Sequence, residues 1–290
     1  MTFIGGKMCA DFFERFAEKI RFFMWIPLLF LCSCTSGVSA ESGAQAESEY
    51  VIKGGSTYHG FSLNNVVFAS GQRIHFNLYV PDSYDGSEPY SLFITLPGYQ
   101  GLYFQGVGMN IRTEDFGFEA QKYNSKMIIA APQLYDWGET SASQTIVLTK
   151  FLLAEYNIDS GKVYIEGYSG GGETLSLVLS QEPELYTAAL MCSSNWDGGF
   201  EKVVASRIPL YFVIGKNDEY YGSEPFRSAY SSLCLEYKKA GLSDDEIKKI
   251  LVLDIKDEKY FKDGDVSNQY GGGGGLFSKD SAIMGWLFGW

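Results

Sequence analysis

Eight short apolar runs rich in β-branched and aromatic residues alternate with stretches of helical spacing between Asn64 and Ile255. This alternation constrains the fold more than any other feature of the chain. The runs are NNVVFAS from Asn64, RIHFNLYV from Arg73, SLFITL from Ser91, KMIIAAP from Lys126, KVYIEG from Lys162, TAALMCSS from Thr187, PLYFVIG from Pro209 and KILVLDI from Lys249. The first two predict a hairpin turning at Ser70-Gly71. Between later runs, SASQTIVLTKFLLAEYN places Ile146, Leu148, Phe151, Leu152 and Tyr156 near one helical face. GGETLSLVLSQE and EPFRSAYSSLCLEYKKAG behave similarly, and DSAIMGWLFGW predicts a short apolar helix at the end. Strands alternating with helices predict an α/β protein, with a mostly parallel sheet and helices on both faces. Their continuous apolar character suits strands covered on both sides.

Neither an internal repeat nor a second domain boundary interrupts the body. A chain of 290 residues, 46% hydrophobic, can bury one core of ordinary size without a covalent staple. A disulfide between Cys192 and Cys234 is therefore not expected. The net charge of −12 argues against nucleic acid and against an anionic membrane surface as partners. With two histidines and scattered carboxylates, the chain predicts neither a metal nor an organic cofactor. It is expected to be a monomer.

The first 34 residues read as a leader. Lys19 and Arg21 precede an apolar run from Phe22 to Leu31, too short to span a bilayer as a helix but suited to a secretory signal. A buried core helix is the alternative, which the basic flank and the small-residue tail disfavour. Leu31-Cys32-Ser33-Cys34 resembles a bacterial lipobox, which implies lipidation of Cys34 and anchoring at the outer face of the cell membrane. Translation from Met8 would shorten an otherwise long leader. Residues 35–49, TSGVSAESGAQAESE, contain almost nothing to bury and read as a tether, so the folded domain is assigned to residues 50–290.

The stretch that carries chemistry is VYIEGYSGGGETLSLVLS, with Gly167-Tyr168-Ser169-Gly170-Gly171 as a G-x-S-x-G match. The pattern alone is weak. Its setting, after a predicted strand and opening a predicted helix, is the one a nucleophilic serine needs, because a tight turn flanked by glycines lifts the hydroxyl above the sheet edge. Here the chain resembles the α/β-hydrolase superfamily, nearest to its secreted esterase, polyester-depolymerase and prolyl-oligopeptidase-like branches. The resemblance implies the α/β-hydrolase fold, Ser169 as nucleophile and an ester, less readily an amide, as substrate. It implies an oxyanion hole from the Gly170 N–H and a donor in LFITLPGYQG, where Pro97-Gly98 replaces the usual His-Gly and Tyr99 N–H is the expected donor. The acid it implies is Asp218 in VIGKNDEYYG, with Glu219 and Asp197 as rivals. Asp136 with Trp137, and Asn195 with Trp196, fall in loops that either contact substrate or simply pack turns.

The expected histidine is missing. His59 and His75 both precede Ser169, whereas the superfamily order is serine, acid, histidine. His75 lies within a predicted strand, and His59 sits at the start of the body. The segment KDEKYFKDGDVSNQYGGGGGLFSKD occupies the histidine's place, and Tyr270, just before five glycines, holds the expected slot. The glycine run is expected to be a loop crossing close above Ser169. A tyrosine of ordinary pKa is a poor base at neutral pH. The chain therefore admits three readings: a surface-anchored serine hydrolase with an unusual base, a non-catalytic descendant keeping the cleft as a binding module, or an active enzyme altered at Tyr270.

Overall fold

Ser70 and Gly71 both adopt positive φ, 49° and 72°, the pairing that two-residue hairpin turns require to match strand twist. They join β3 (Phe61–Ala69) to β4 (Gln72–Tyr79), as the sequence predicts. The structure is a computed structural model that describes residues 49–290. The leader, Cys34 and the tether up to residue 48 lie outside the described residues.

Before the hairpin come two short exposed strands that the apolar pattern does not reveal, β1 (Tyr50–Ile52) and β2 (Ser56–Tyr58), both antiparallel to β3. After it come β5 (Tyr90–Leu96), β6 (Met127–Pro132), β7 (Ile158–Tyr168), β8 (Ala188–Cys192), β9 (Leu210–Gly215) and β10 (Leu251–Lys256). The sheet order is β1-β3-β4-β6-β5-β7-β8-β9-β10, with β2 beside β3. β4 pairs antiparallel with β6, and the strands from β6 to β10 run parallel. The last predicted strand begins later than its apolar run, because Lys249 and Ile250 end a helix with a Ser243 capping box.

The helices are α1 (Asn110–Thr113), α2 (Phe116–Ala120), α3 (Glu139–Glu155), α4 (Gly170–Gln181), α5 (Glu201–Ser206), α6 (Glu224–Lys239), α7 (Asp244–Ile250), α8 (Glu258–Asp263), α9 (Gln269–Phe277) and α10 (Ser281–Leu287). Alternate residues of the central strands feed two cores. Leu92, Ile94, Ile165 and Phe212 pack with Leu148 of α3, Val178 of α4 and Leu233 of α6. Phe93, Leu190 and Val213 pack on the other side with Phe116 of α2, Phe261 of α8, Phe277 of α9 and Ile283 of α10. The sheet is thus covered on both faces, as the unbroken apolar runs imply.

This layering fixes where a ligand can reach the sheet. The chain leaving β5 turns to the face that holds α1 and α2, while the chain leaving β7 turns to the opposite face with α4. Neighbouring parallel strands whose successors diverge leave a crevice at their C-terminal ends. The predicted oxyanion loop and Ser169 flank that crevice.

The glycine run is a correction. It is not a loop: Gln269–Phe277 form a helix. Glycine costs a helix about 1 kcal/mol per residue relative to alanine, so packing and caps must hold it. Asn268 accepts from the Gly271 N–H, and Glu219 accepts from the Gln269 and Tyr270 N–H groups at 3.0 and 2.8 Å. Side chains would obstruct the packing: a Cβ on Gly272 would stand 2.3 Å from Val266 Cγ1, and one on Gly274 3.3 Å from the Tyr168 ring.

Candidate active site

Ser169 sits between β7 and α4 with φ 57° and ψ −129°, a conformation that costs a non-glycine residue about 1–3 kcal/mol. Several contacts hold it there. Its N–H donates to Cys192 O at 3.0 Å, and the Ser194 hydroxyl donates to its carbonyl at 2.6 Å. The neighbouring glycines are steric necessities. A Cβ on Gly167 would lie 2.3 Å from Gly171 O, and one on Gly172 2.5 Å from the Ser194 side chain. The strain is therefore over-determined by backbone packing at the start of α4.

Gly170 opens that helix, where the first N–H groups have no intrahelical acceptor. Tyr99 likewise opens a short 3-10 turn, Tyr99–Gly101, after β5. Both expected donors thus stand at element starts on the two sides of the crevice. Beneath them lies a buried carboxyl pair that the sequence did not disclose. Glu114 accepts from the Gly98 N–H at 3.2 Å, and burial pushes its pKa up to about 8. Glu166 accepts from the Thr95 hydroxyl at 2.8 Å, leaving its other oxygen without a partner. Burial first, then the nearby Glu114, raises its pKa well above the usual range.

Tyr270 reaches the nucleophile: its hydroxyl lies 2.6 Å from Ser169 Oγ. Its backbone carbonyl accepts from the Tyr168 hydroxyl, and its ring stacks on Tyr220 at 5.0 Å. Burial raises its pKa, outweighing the hydrogen bond with Ser169, so it remains a protonated phenol at neutral pH.

Asp218 comes near but makes no hydrogen bond to Ser169 or Tyr270. Its Oδ1 accepts from the Tyr220 and Tyr221 N–H groups at 3.1 and 2.8 Å and closes the turn after β9. Its Oδ2 and the Ser193 hydroxyl are buried without a well-formed hydrogen bond. Burial raises the Asp218 pKa, partly offset by those two N–H groups and by Ser193. The rival acids have other partners. Glu219 caps α9, where the N–H groups of Tyr270 and Gln269 overcome the effect of burial and lower its pKa. Asp197 accepts from the Asn195 amide at 2.7 Å.

Neither histidine contacts the serine. His75 Nδ1 bonds Asn64 Oδ1 at 2.7 Å inside β4, and His59 packs edge-on against Tyr58 and Phe118. Trp137 does belong to the site, since a Cβ on Gly170 would meet it at 3.2 Å. Exposed Tyr99, Phe104 and Trp137 form an aromatic cluster, with ring centroids 5.5 and 6.3 Å from Tyr99. Trp196 instead donates to Gly198 O and stacks on Phe200, while Asp136 accepts from Ser141 at the start of α3.

The sequence reading missed Glu173 and Tyr221. Glu173 lies one turn after Ser169 on α4, and Tyr221 donates to its Oε1 at 2.6 Å. The four-residue spacing in SGGGE was the available signal, since residues i and i+4 share a helical face. Cys192 and Cys234 are both free. Among the described residues, no His, Cys, Asp and Glu group is placed to hold a metal. No helix there is long and apolar enough to cross a membrane.

The strand order, the divergent crevice and the serine on its strained turn define the α/β-hydrolase fold, and this chain has it. Residues 133–199 match the prolyl oligopeptidase family of peptidases, a segment that includes Ser169. Among solved structures, a thermostable esterase superposes with a TM-score of 0.62 at 21% identity, covering 79% of this chain and 63% of that one. Oligopeptidase B from Leishmania major gives 0.53 at 15% identity, covering 79% of this chain but only 36% of that chain. Est1E from Butyrivibrio proteoclasticus gives 0.51 at 14% identity, covering 79% and 97%. No curated protein sequence matches this chain.

Proposed function

We propose that the protein is a serine hydrolase of carboxylic esters, with Ser169 as nucleophile and the Gly170 and Tyr99 N–H groups as the oxyanion hole. Tyr270 occupies the place where the resemblance to the α/β-hydrolase superfamily implies a histidine, and Asp218 shapes the loop beside it. The observation that carries this reading is the strained Ser169 at the N-terminus of α4, with its hydroxyl held at 2.6 Å by a side chain from α9. Strain of this kind persists where a function uses it. Helix-terminal N–H groups stabilise an oxyanion best when fixed before the reaction. An esterase and an oligopeptidase of the same fold support the class, and the aromatic cluster beside Tyr99 suits an ester with a flat or apolar acyl group.

A second reading, a surface binding module, draws on one observation: the hydroxyl facing Ser169 Oγ belongs to a phenol whose pKa is raised. Treating the purified protein with a fluorophosphonate probe separates the two. Covalent labelling is expected, and Ser169→Ala should abolish it. A parent protein that stays unlabelled would leave the binding module standing and remove the hydrolase.

The leader supports anchoring at the outer face of the cell membrane through lipid on Cys34, with an ester, small or polymeric, as partner and no nucleic acid. Cys34→Ser should shift the protein from the membrane fraction to the soluble one. Retention in the membrane fraction would exclude the lipid anchor.

A further inference from the structure

We propose that the Tyr270 hydroxyl is the proton shuttle of this site, taking the proton of Ser169 while handing its own hydrogen to the departing ester oxygen. The proposal rests on the serine hydrolase reading above.

The contact that carries it is direct. Tyr270 Oη lies 2.6 Å from Ser169 Oγ, and either oxygen can donate. Among the described residues, each of these two hydroxyls is the hydrogen-bond partner of the other and of no further side chain. A phenol carries one hydrogen and accepts through its lone pairs. When Ser169 donates to Tyr270, the phenol hydrogen is left without a protein acceptor and is free for a substrate.

The fold sets the depth and the side from which Tyr270 arrives. Glu219 Oε2 accepts from its N–H at 2.8 Å, and its ring stacks on Tyr220 at 5.0 Å. Gly273 and Gly274 let α9 lie close, since a Cβ on them would stand 3.4 Å from Ser193 Oγ and 3.3 Å from the Tyr168 ring. α9 starts beside the end of β9, where Gln269 Oε1 accepts from the Asn217 N–H at 2.8 Å. In the sheet β7 lies between β9 and β5, so Tyr270 and the oxyanion loop approach Ser169 from opposite sides. An acyl carbon on Oγ, with its oxygen in the hole and its acyl chain on the aromatic cluster, then turns its leaving oxygen toward Tyr270.

The step balances without a further reactant. As Ser169 Oγ bonds the acyl carbon, its O–H bond breaks and the proton passes to Tyr270 Oη. The hydrogen already on Tyr270 passes in the same motion to the ester oxygen, and the carbonyl π pair moves onto the carbonyl oxygen, facing the Gly170 and Tyr99 N–H groups. That pair then re-forms the carbonyl, the bond to the ester oxygen breaks, and a neutral alcohol departs. Water repeats the exchange in deacylation: it gives a proton to Tyr270 Oη as it bonds the acyl carbon, and the phenol hydrogen returns to Ser169 Oγ. Tyr270 stays neutral throughout, which suits its surroundings. Burial raises its pKa, and Tyr220, Asp218 and Glu114 add to the rise against the Ser169 hydrogen bond, so a phenolate base is disfavoured.

Paired ethyl and 4-nitrophenyl esters of acetic and benzoic acid test the shuttle. An ethoxide must be protonated to leave, whereas a nitrophenolate need not be. Tyr270→Phe keeps the ring and the backbone bonds and removes only the hydroxyl. It should lower kcat/KM on the ethyl esters about 1,000-fold, within the range for a positioned acid–base group, and on the nitrophenyl esters at least about ten times less. A merely structural role would lower both alike. The parent supplies a second measurement that needs no variant. In mixtures of light and heavy water its rate on the ethyl esters should fall along a bowed curve, because two protons move together. Equal losses on the two ester types, unchanged or faster hydrolysis by Tyr270→Phe, or a straight line in the water mixtures would each overturn the shuttle. A parent that takes a fluorophosphonate on Ser169 but hydrolyses none of these esters would overturn it too, leaving Ser169 as nucleophile. An unlabelled parent would overturn the hydrolase reading as well.

Discussion

Substituting Gln for Glu114 should flatten a fall in stability that the parent protein shows between mildly acidic and mildly alkaline pH. Glu114 is buried, with a single hydrogen bond to its carboxyl from the Gly98 N–H, and its pKa rises from 4.5 to about 8 on folding. Its pKa is raised, not depressed, so the sign is the reverse of the common carboxylate case. Below pH 4.5 both folded and unfolded chains carry the proton. Between 4.5 and about 8 only the folded chain retains it, so each unit of rising pH favours unfolding; above about 8 the effect is complete. The full swing is at most on the order of 5 kcal/mol, since each pKa unit is worth about 1.4 kcal/mol. Glu166, raised in the same direction by burial and by Glu114, adds to the slope.

The side-chain amide introduced by Glu114→Gln would still accept from the Gly98 N–H and would carry no charge at any pH. Urea unfolding midpoints measured over this range should show the variant level with the parent in acid and more stable than it in alkali. Parallel curves for the two proteins would show that Glu114 is ionised in the folded state. The result bears on the site, because this carboxyl underlies the oxyanion loop. A Cβ on Gly98 would lie 3.0 Å from Glu114 Oε1 and 3.4 Å from Ser169 Cβ. Ionising the pair would place negative charge beside an oxyanion in the making, so its neutrality suits the chemistry proposed above.

What was legible in the sequence follows from how each element is stabilised. The central strands announce themselves because β5, β6, β8 and β9 are buried along their whole length and must be apolar throughout. β1 and β2 have no such obligation; they are three residues each and largely exposed, and their signal is correspondingly absent. The helix at Gln269–Phe277 was illegible for the opposite reason. Its five glycines carry the weakest helix propensity short of proline, and what holds it is tertiary: Glu219 and Asn268 at its N-terminus and the close approach of Val266 and Tyr168. Ser169 could be found because its turn demands glycines in a fixed spacing. Position after β9 drew attention to Asp218, yet its Oδ1 is occupied by the backbone of its own turn. Glu173, one turn after Ser169, meets the Tyr221 hydroxyl instead, and only the fold brings those two together.

Replacing Gly171 with Ala should damage stability and chemistry together. The added Cβ would stand 2.4 Å from Leu96 O, 2.9 Å from Leu96 C and 3.1 Å from Pro97 O. All three are backbone atoms at the end of β5, which cannot swing aside as a side chain could. Relief therefore requires α4 to move away from the strand that leads into the oxyanion loop. Overpacking of this kind costs about 1–3 kcal/mol, and more where only backbone can yield. The catalytic cost arises from the same displacement. The two N–H groups proposed for the oxyanion hole belong to the two elements forced apart, Gly170 on α4 and Tyr99 after β5, and losing one such donor costs about 100-fold or more in rate. Gly275 supplies the control, since nothing lies within 4 Å of its Cβ position; Ala there should keep labelling at the parent rate and lose no stability. Urea unfolding and fluorophosphonate labelling of the two variants side by side decide the matter. If Gly171→Ala folded with parental stability and labelled at the parental rate, close contact between α4 and β5 would not be what sets the geometry around Ser169.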